Sequence, residues 1–211
     1  MMRALSGIGL AGVFLRVWAL LAVLVVASGC AQQNWASDAA IEAARYQHGG
    51  TPELTLVTIV HYDTGRGDHT ALFINGSERV VFDPAGSWTL DTIPVRNDVH
   101  FGMTPVAGAS FFVSHVRDTH YAVVQRLAVS PEVAERAIEL ALQVGPVAPA
   151  RCASATSSVL RRLSPTQDLR GSVFPQVLMR EFGEIPGVQT YELHRDSPDF
   201  ETDMFRLQQS L

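Results

Sequence analysis

The chain contains two cysteines, Cys30 and Cys152, and their surroundings predict different chemistry for each. Cys30 ends a predicted export signal, described below, so Cys152 has no partner within the domain. Exported domains use most of their cysteines in disulfides. A lone thiol is therefore a buried filler, an intermolecular partner or a working nucleophile.

Cys152 begins a predicted helix that runs to about Leu163, directly after a break rich in Gly and Pro at 145–149. The first N–H groups of a helix have no partner within it, and with the helix dipole they stabilise a thiolate. The neighbouring Arg151 adds positive potential, and the same N–H groups can hold an oxyanion. This position favours a nucleophile over a structural cysteine.

A nucleophilic thiol needs a base, and seven histidines are available. His69 is the best candidate because it begins a predicted strand directly after a glycine-rich loop, whereas His61 ends the preceding strand. The other histidines lie in loops, weakly patterned segments or the C-terminal tail: His48, His100, His115, His120 and His194. Taken singly, each histidine is more often a surface or core residue than a catalyst.

The spacing of His61, Asp63, Asp68 and His69 also suggests a metal site. The two acids lie in a predicted loop, however, and no further ligand is evident, whereas zinc sites use better-defined sets of nitrogen and sulfur ligands. We therefore predict neither a metal nor another cofactor.

The elements that position these residues follow from the hydrophobic pattern and the turn signals. The predicted strands are 54–61, 69–74, 79–83, 121–129 and 188–193, with a further short strand at 109–113. The predicted helices are 131–144, opened by a Ser-Pro-Glu cap, 152–163 and 172–182. The fold class is α+β, with a mainly antiparallel sheet packed against helices.

A histidine at the head of a strand, a hairpin that ends on a polar residue and a cysteine at a helix start resemble the circularly permuted papain-like thiol hydrolases. This NlpC-type superfamily includes the lecithin:retinol acyltransferase group. The matching segments are DHTALFI (68–74), VVFDPAG (80–86) and RCASAT (151–156). The resemblance implies a permuted papain-like fold over about 54–193, with Cys152 as nucleophile, His69 as base and Asp83 orienting the imidazole. Many relatives carry Asn before the cysteine where this chain has Arg151, which bears on the substrate class.

The resemblance implies a thiol hydrolase or acyltransferase that acts on an amide or ester bond through a cysteine acyl-enzyme. Peptidoglycan peptides and the acyl groups of lipids or lipoproteins are the candidate substrates. The alternative is a non-catalytic binding module on the same fold, in which Cys152 is packing.

The turn between the second and third strands decides whether His69 and Asp83 meet. A two-residue Asn75-Gly76 loop would place their side chains on opposite faces of the sheet. A three-residue loop, which pairs for example Ile74 with Glu78, places both on one face. The triad needs this second register, so we predict a three-residue or bulged turn despite the Asn-Gly signal. The alternative role for Asp83 is to cap the Pro-Ala-Gly turn that follows it.

Residues 1–29 are predicted to be a lipoprotein signal. Arg3 and Arg16 are the only charges before Cys30, and the apolar run 17–27 is too short for a membrane helix, which needs about 20 residues. Ala-Ser-Gly-Cys at 27–30 resembles the lipobox of bacterial lipoproteins, with Ala27 where Leu or Val is usual. This implies acylation of Cys30, and Ala31 in place of Asp favours the outer membrane. The alternatives are an uncleaved single-pass anchor and ordinary signal cleavage near residues 27–29.

Removal of the signal leaves 182 residues, which we divide into a lipid-anchored tether at 30–50, with a helix near 38–46, and one domain at 51–211. The signal carries two arginines and no acids, so its loss changes the net charge from −5 to −7. An acidic domain disfavours nucleic acid as a partner. We expect a protein of the bacterial cell envelope that is held to the membrane through Cys30 and faces the periplasm.

The first prediction concerns the anchor. Cys30→Ser should abolish incorporation of a labelled fatty acid and release or misprocess the protein, because the acylated side chain is gone. Labelling that persists in the variant would contradict the lipobox interpretation.

Overall fold

The computed structural model describes residues 35–209, and within this range it is an α+β structure, as predicted. One antiparallel sheet of seven strands has the order β4-β5-β3-β2-β1-β6-β7. Its strands are β1 (Glu53–His61), β2 (Gly67–Asn75), β3 (Arg79–Phe82), β4 (Val95–Arg96), β5 (Val99–Phe101), β6 (His120–Ala128) and β7 (Gln189–Leu193). The six helices are α1 (Asp38–Ala44), α2 (Pro105–His115), α3 (Pro131–Val144), α4 (Cys152–Leu160), α5 (Pro175–Gly183) and α6 (Phe200–Gln209).

The sheet is covered by helices on both faces. Alternate residues of a strand point to opposite faces, so β1 contributes Leu56 to a core beneath α3, α4 and α5 and Val57 to a second core beneath α2 and α6. Burial on both faces explains why β1 reads as a continuous apolar run rather than an alternating one. The helix that begins at Cys152 therefore packs directly on the centre of the sheet.

The turn between β2 and β3 has three residues, 76–78, and is closed by the pair Asn75 and Arg79. The predicted three-residue loop is confirmed, although Ile74 pairs with Val80 rather than with Glu78. A shift of two residues preserves the face of every side chain. His69 and Asp83 consequently lie on the same side of the sheet.

The predicted strand at 109–113 is wrong, because these residues belong to helix α2. Thr104 caps the helix by accepting a hydrogen bond from the N–H of Ala107 at 3.2 Å, and Pro105 occupies the first helical position. This is the Ser-Pro signal of α3 with Thr in place of Ser. The short strands β4 and β5 and the last helix, α6, were also not predicted.

Residues 35–50, assigned to the tether, contain the predicted helix as α1 and contact the sheet. The Ala36 N–H donates to Val95 O at 2.9 Å, and the Arg79 N–H donates to Tyr46 O at 2.9 Å. The signal and Cys30 lie outside the described residues. No helix among residues 35–209 has the length and apolar character needed to cross a membrane.

Gly67, at the start of β2, has no room for a side chain. A Cβ there would lie 2.7 Å from the backbone N of Gln176 and 2.9 Å from Pro175 Cβ. Gly67→Ala should therefore displace the start of α5 and lower the free energy of unfolding by about 1–3 kcal/mol, measured by urea denaturation. Gly76→Ala is the matched control, because its Cβ would meet the ends of two side chains, Glu135 Oε1 at 2.6 Å and Ile138 Cδ1 at 3.2 Å, rather than backbone. Equal losses in the two variants would contradict this packing argument.

Candidate active site

The thiol of Cys152 lies against the edge of strand β2. Strand β3 pairs with β2 only as far as Leu72, so residues 67–71 have no partner on that side of β2. Cys152 is buried, with 5% of its surface exposed, and the N–H groups of Thr70 and Ala153 lower the pKa of its thiol. A sheet edge and a helix N-terminus thus converge on the sulfur, and both present positive N–H dipoles to it.

A β-bulge positions His69. The pairing of β1 with β2 shifts between Ile59, opposite His69, and Val60, opposite Gly67, so Asp68 is the extra residue. Bulges re-aim side chains and are common beside active sites. The His69 side chain is 17% exposed, lies beside the Cys152 thiol, and donates from Nε2 to Asp83 Oδ1 at 2.6 Å.

Asp83 follows the last residue of β3, and its side chain has no exposed surface. Its backbone carbonyl accepts the N–H of Gly86 at 3.0 Å, which forms the turn, while its carboxylate turns inward to His69. Any Cβ at Gly86 would overlap that carboxylate. Asp83 thus makes the turn with its backbone and the imidazole contact with its side chain, and Gly86 leaves the space that the carboxylate fills.

Electrostatics favour the ionised forms of the three groups. Burial raises the pKa of Cys152, but the hydrogen bond and charge of His69, with the two N–H groups, outweigh burial and bring the thiol pKa below its ordinary value. Burial by itself lowers the pKa of His69, yet Asp83 and Cys152 together raise it to about 10. Burial likewise opposes ionisation of Asp83, and His69 lowers its pKa overall. The shifts of Cys152 and His69 both favour the thiolate and imidazolium pair over the neutral thiol and imidazole.

Two further histidines surround Asp83, and the sequence placed both in weakly patterned segments. His100, on β5, has its Nε2 4.0 Å from Asp83 Oδ2 and packs against Trp88, with 5.0 Å between ring centroids. His115, at the end of α2, stacks on His69 with 5.6 Å between centroids and 11° between planes. Burial lowers the pKa of each. The Thr-Pro cap of α2 was the one local signal that could have placed His115 on a helix.

The four residues considered for a metal site do not converge. Asp68 instead accepts hydrogen bonds from His120 Nε2 at 3.1 Å and from Arg66 Nε at 3.0 Å, and His61 packs edge-on against His120. Within residues 35–209, the ligand atoms that come together belong to His69, Asp83 and His115. Of the four residues considered for a metal site, only His69 belongs to this cluster.

The fold and site define a class: an α+β domain in which a helix-terminal thiol, an imidazole and a buried carboxylate form one chain of contacts. Such a chain can activate a sulfur nucleophile and carry a proton to a leaving group. No protein-family model, curated protein or solved structure matches the chain.

The carboxylate can be tested through the thiol. Asp83→Asn removes the charge that stabilises the imidazolium, and Gly86→Ala displaces the same carboxylate without altering it chemically. Both variants should move the acid limb of Cys152 alkylation by iodoacetamide to higher pH, because a thiolate without an imidazolium beside it is protonated more readily. Rate against pH is the measurement, and profiles that superimpose on the wild type would remove Asp83 from the chain of contacts.

Proposed function

We propose that this protein is a lipid-anchored thiol hydrolase or acyltransferase of the bacterial cell envelope. Its Cys152 would attack the carbonyl of an amide or ester and form a covalent acyl-enzyme. One observation carries the proposal: the thiol contacts His69, and His69 contacts the buried Asp83, with no other residue between them.

In the first half-reaction the Cys152 thiolate attacks the carbonyl carbon of the substrate. Negative charge develops on the carbonyl oxygen, and the N–H groups at the start of α4 are the donors available to stabilise it. His69 then donates its Nδ1 proton, the one facing the sulfur, to the leaving amine or alcohol. The scissile bond breaks, the first product departs, and the acyl group stays on sulfur as a thioester.

In the second half-reaction His69 is neutral and serves as a base. It accepts a proton from the incoming nucleophile, which attacks the thioester and regenerates the thiolate and imidazolium pair. Water as the nucleophile gives a hydrolase, whereas an amine or alcohol gives an acyltransferase. Throughout, Asp83 keeps the Nε2–H of His69 in place, so the other ring nitrogen faces the sulfur.

The order of the elements supports a permuted papain-like fold as part of this proposal. His69 on strand β2, Asp83 after β3 and Cys152 at the start of α4 occur in the chain order that the resemblance implies. The central antiparallel sheet with the cysteine helix packed on β2 is also in keeping with that architecture.

The envelope location rests on the sequence. The basic start, the short apolar run and the small residues before Cys30 support lipid attachment. Exported proteins use most cysteines in disulfides, so the unpaired Cys152 of an exported domain is a candidate for a functional thiol. A membrane anchor would keep the domain close to peptidoglycan peptides and to acyl lipids or lipoproteins, the substrate classes proposed.

The test is trapping of the acyl-enzyme. Purified full-length protein incubated with a p-nitrophenyl acyl ester should gain the mass of one acyl group on Cys152 and release p-nitrophenol in a burst. His69→Ala should reduce the burst rate roughly 10²-fold or more, since general acid–base catalysis contributes about 10²–10⁴. It should also slow alkylation of Cys152 by iodoacetamide at pH 6–7, where an ordinary thiol with a pKa of about 8.5 is mostly protonated.

His61→Ala is the matched control, because His61 ends the neighbouring strand and lies outside the chain of contacts. It should keep the wild-type burst and alkylation rates. Equal rates for the wild type and His69→Ala would remove His69 as the base. A thiol that forms no adduct and alkylates slowly, without pH dependence near neutrality, would favour the non-catalytic binding module.

A further inference from the structure

Three side chains on different elements bring metal-ligand atoms together beside the thiol. One ligand atom from each of His69, Asp83 and His115 lies within 4.8 Å of those of the other two. Two nitrogens and one oxygen form the set that zinc, iron and related divalent metals use in His₂-carboxylate sites. The proposed acyl transfer needs the first two of these residues but assigns nothing to His115.

His115 is held as a metal-ligating histidine usually is. Its Nδ1 lies 2.8 Å from the carbonyl oxygen of Phe111, one turn earlier in α2. A proton on Nδ1 donated to this carbonyl leaves the lone pair on Nε2. Metal-bound histidines show this arrangement almost without exception, with the second ring nitrogen donating to a carbonyl or carboxylate.

A second observation points to a ligand at the same place. Asp83 Oδ2 is buried and has no hydrogen-bond partner among the described residues. His100 Nε2 lies 4.0 Å from it, and Oδ1 is taken by His69. An ionised carboxylate oxygen in the interior is costly unless a donor or a metal ion satisfies it. The orphan oxygen belongs to the residue at the centre of the cluster.

We propose that His69, Asp83 and His115 form a site for Zn²⁺, and that the bound ion reversibly blocks acyl transfer at Cys152. Ligation through His69 Nε2 displaces the proton that this nitrogen donates to Asp83, and that proton passes to solvent. Ligands of one tetrahedral zinc ion lie roughly 3.4 Å apart, from bond lengths of about 2.0–2.2 Å. The cluster reaches this spacing when the His69–Asp83 contact opens by about 0.8 Å and the wider distances close by up to about 1.4 Å.

Zinc on His69 and Asp83 breaks the contact that sustains the imidazolium. The metal-bound imidazole is neutral and keeps its remaining N–H, the one that faces the sulfur. It can give up that proton only by becoming an imidazolate, so it no longer serves as the acid of the first half-reaction. Inhibition of acyl transfer by zinc rests on the proposed function, whereas the binding of zinc does not. The two can therefore fail separately.

The experiment titrates full-length protein in detergent at pH 7 with Zn²⁺, using calorimetry for affinity and stoichiometry. The wild type should bind one zinc ion per chain. His115→Phe should weaken zinc affinity at least about tenfold, because loss of a group that only supports a ligand already lowers metal affinity about 10–100-fold. His115→Gln, whose amide can still meet Phe111, is the second variant in case the first does not fold. His120→Phe, a histidine outside the cluster, should bind zinc as the wild type does.

Two comparisons decide whether zinc binds to the three proposed ligands or to the Cys152 thiolate. Cys152→Ser should retain zinc affinity within about threefold, because the thiol is not one of the three ligands. Zinc should slow the release of p-nitrophenol by the wild type at least about tenfold and by His115→Phe far less, because proton transfer at His69 is the step that zinc blocks. Binding that is lost in Cys152→Ser and unchanged in His115→Phe would overturn the proposal, since an ordinary thiolate and imidazole would then hold the metal. Absence of zinc binding in the wild type would overturn it as well, whatever the reactivity of the thiol.

Discussion

The hydrogen bond from His69 to Asp83 is the interaction on which the rest of the site depends. A carboxylate with no exposed surface stays ionised only when a donor or a positive charge lies against it, and His69 supplies both. That charge in turn favours the imidazolium, and the imidazolium favours the thiolate of Cys152. The charge of the buried Asp83 carboxylate therefore favours the ionised form of the Cys152 sulfur, the atom that a substrate would meet.

Three local devices keep this interaction in place. The bulge at Asp68 turns His69 toward the cysteine helix, the three-residue turn puts Asp83 on the same face, and Gly86 leaves the space that the carboxylate occupies. Each acts through the backbone, so none would be recognised from the chemistry of its side chain. The site is accordingly more sensitive to backbone changes near it than its three polar residues suggest.

The end of the β2–β3 pairing makes room for the site within the covered sheet. Helices on both faces bury β1 and β2, yet β3 leaves β2 after Leu72 and exposes the beginning of that strand to the start of α4. The N–H of Thr70 is consequently free to point at the thiol. The same departure of β3 carries Asp83 and the following turn over toward His100 and His115, so one irregularity in the sheet assembles the whole cluster.

The three-residue turn was expected only because the proposed triad needs His69 and Asp83 on one face, against the local Asn-Gly signal. The sequence by itself determined the fold class, the helix at 131–144, the five longest strands to within a few residues and the helix start at Cys152. These features depend on local signals: hydrophobic period, caps and the alternation of strand side chains. The sequence did not predict α2, because Ala109–Val113 is apolar without a helical period. The Thr104-Pro105 cap was the only local signal of a helix start there. Only the tertiary structure decided that His100 and His115 surround Asp83. Their approach depends on how β5 and α2 pack against the sheet, a long-range arrangement that no short stretch of residues encodes.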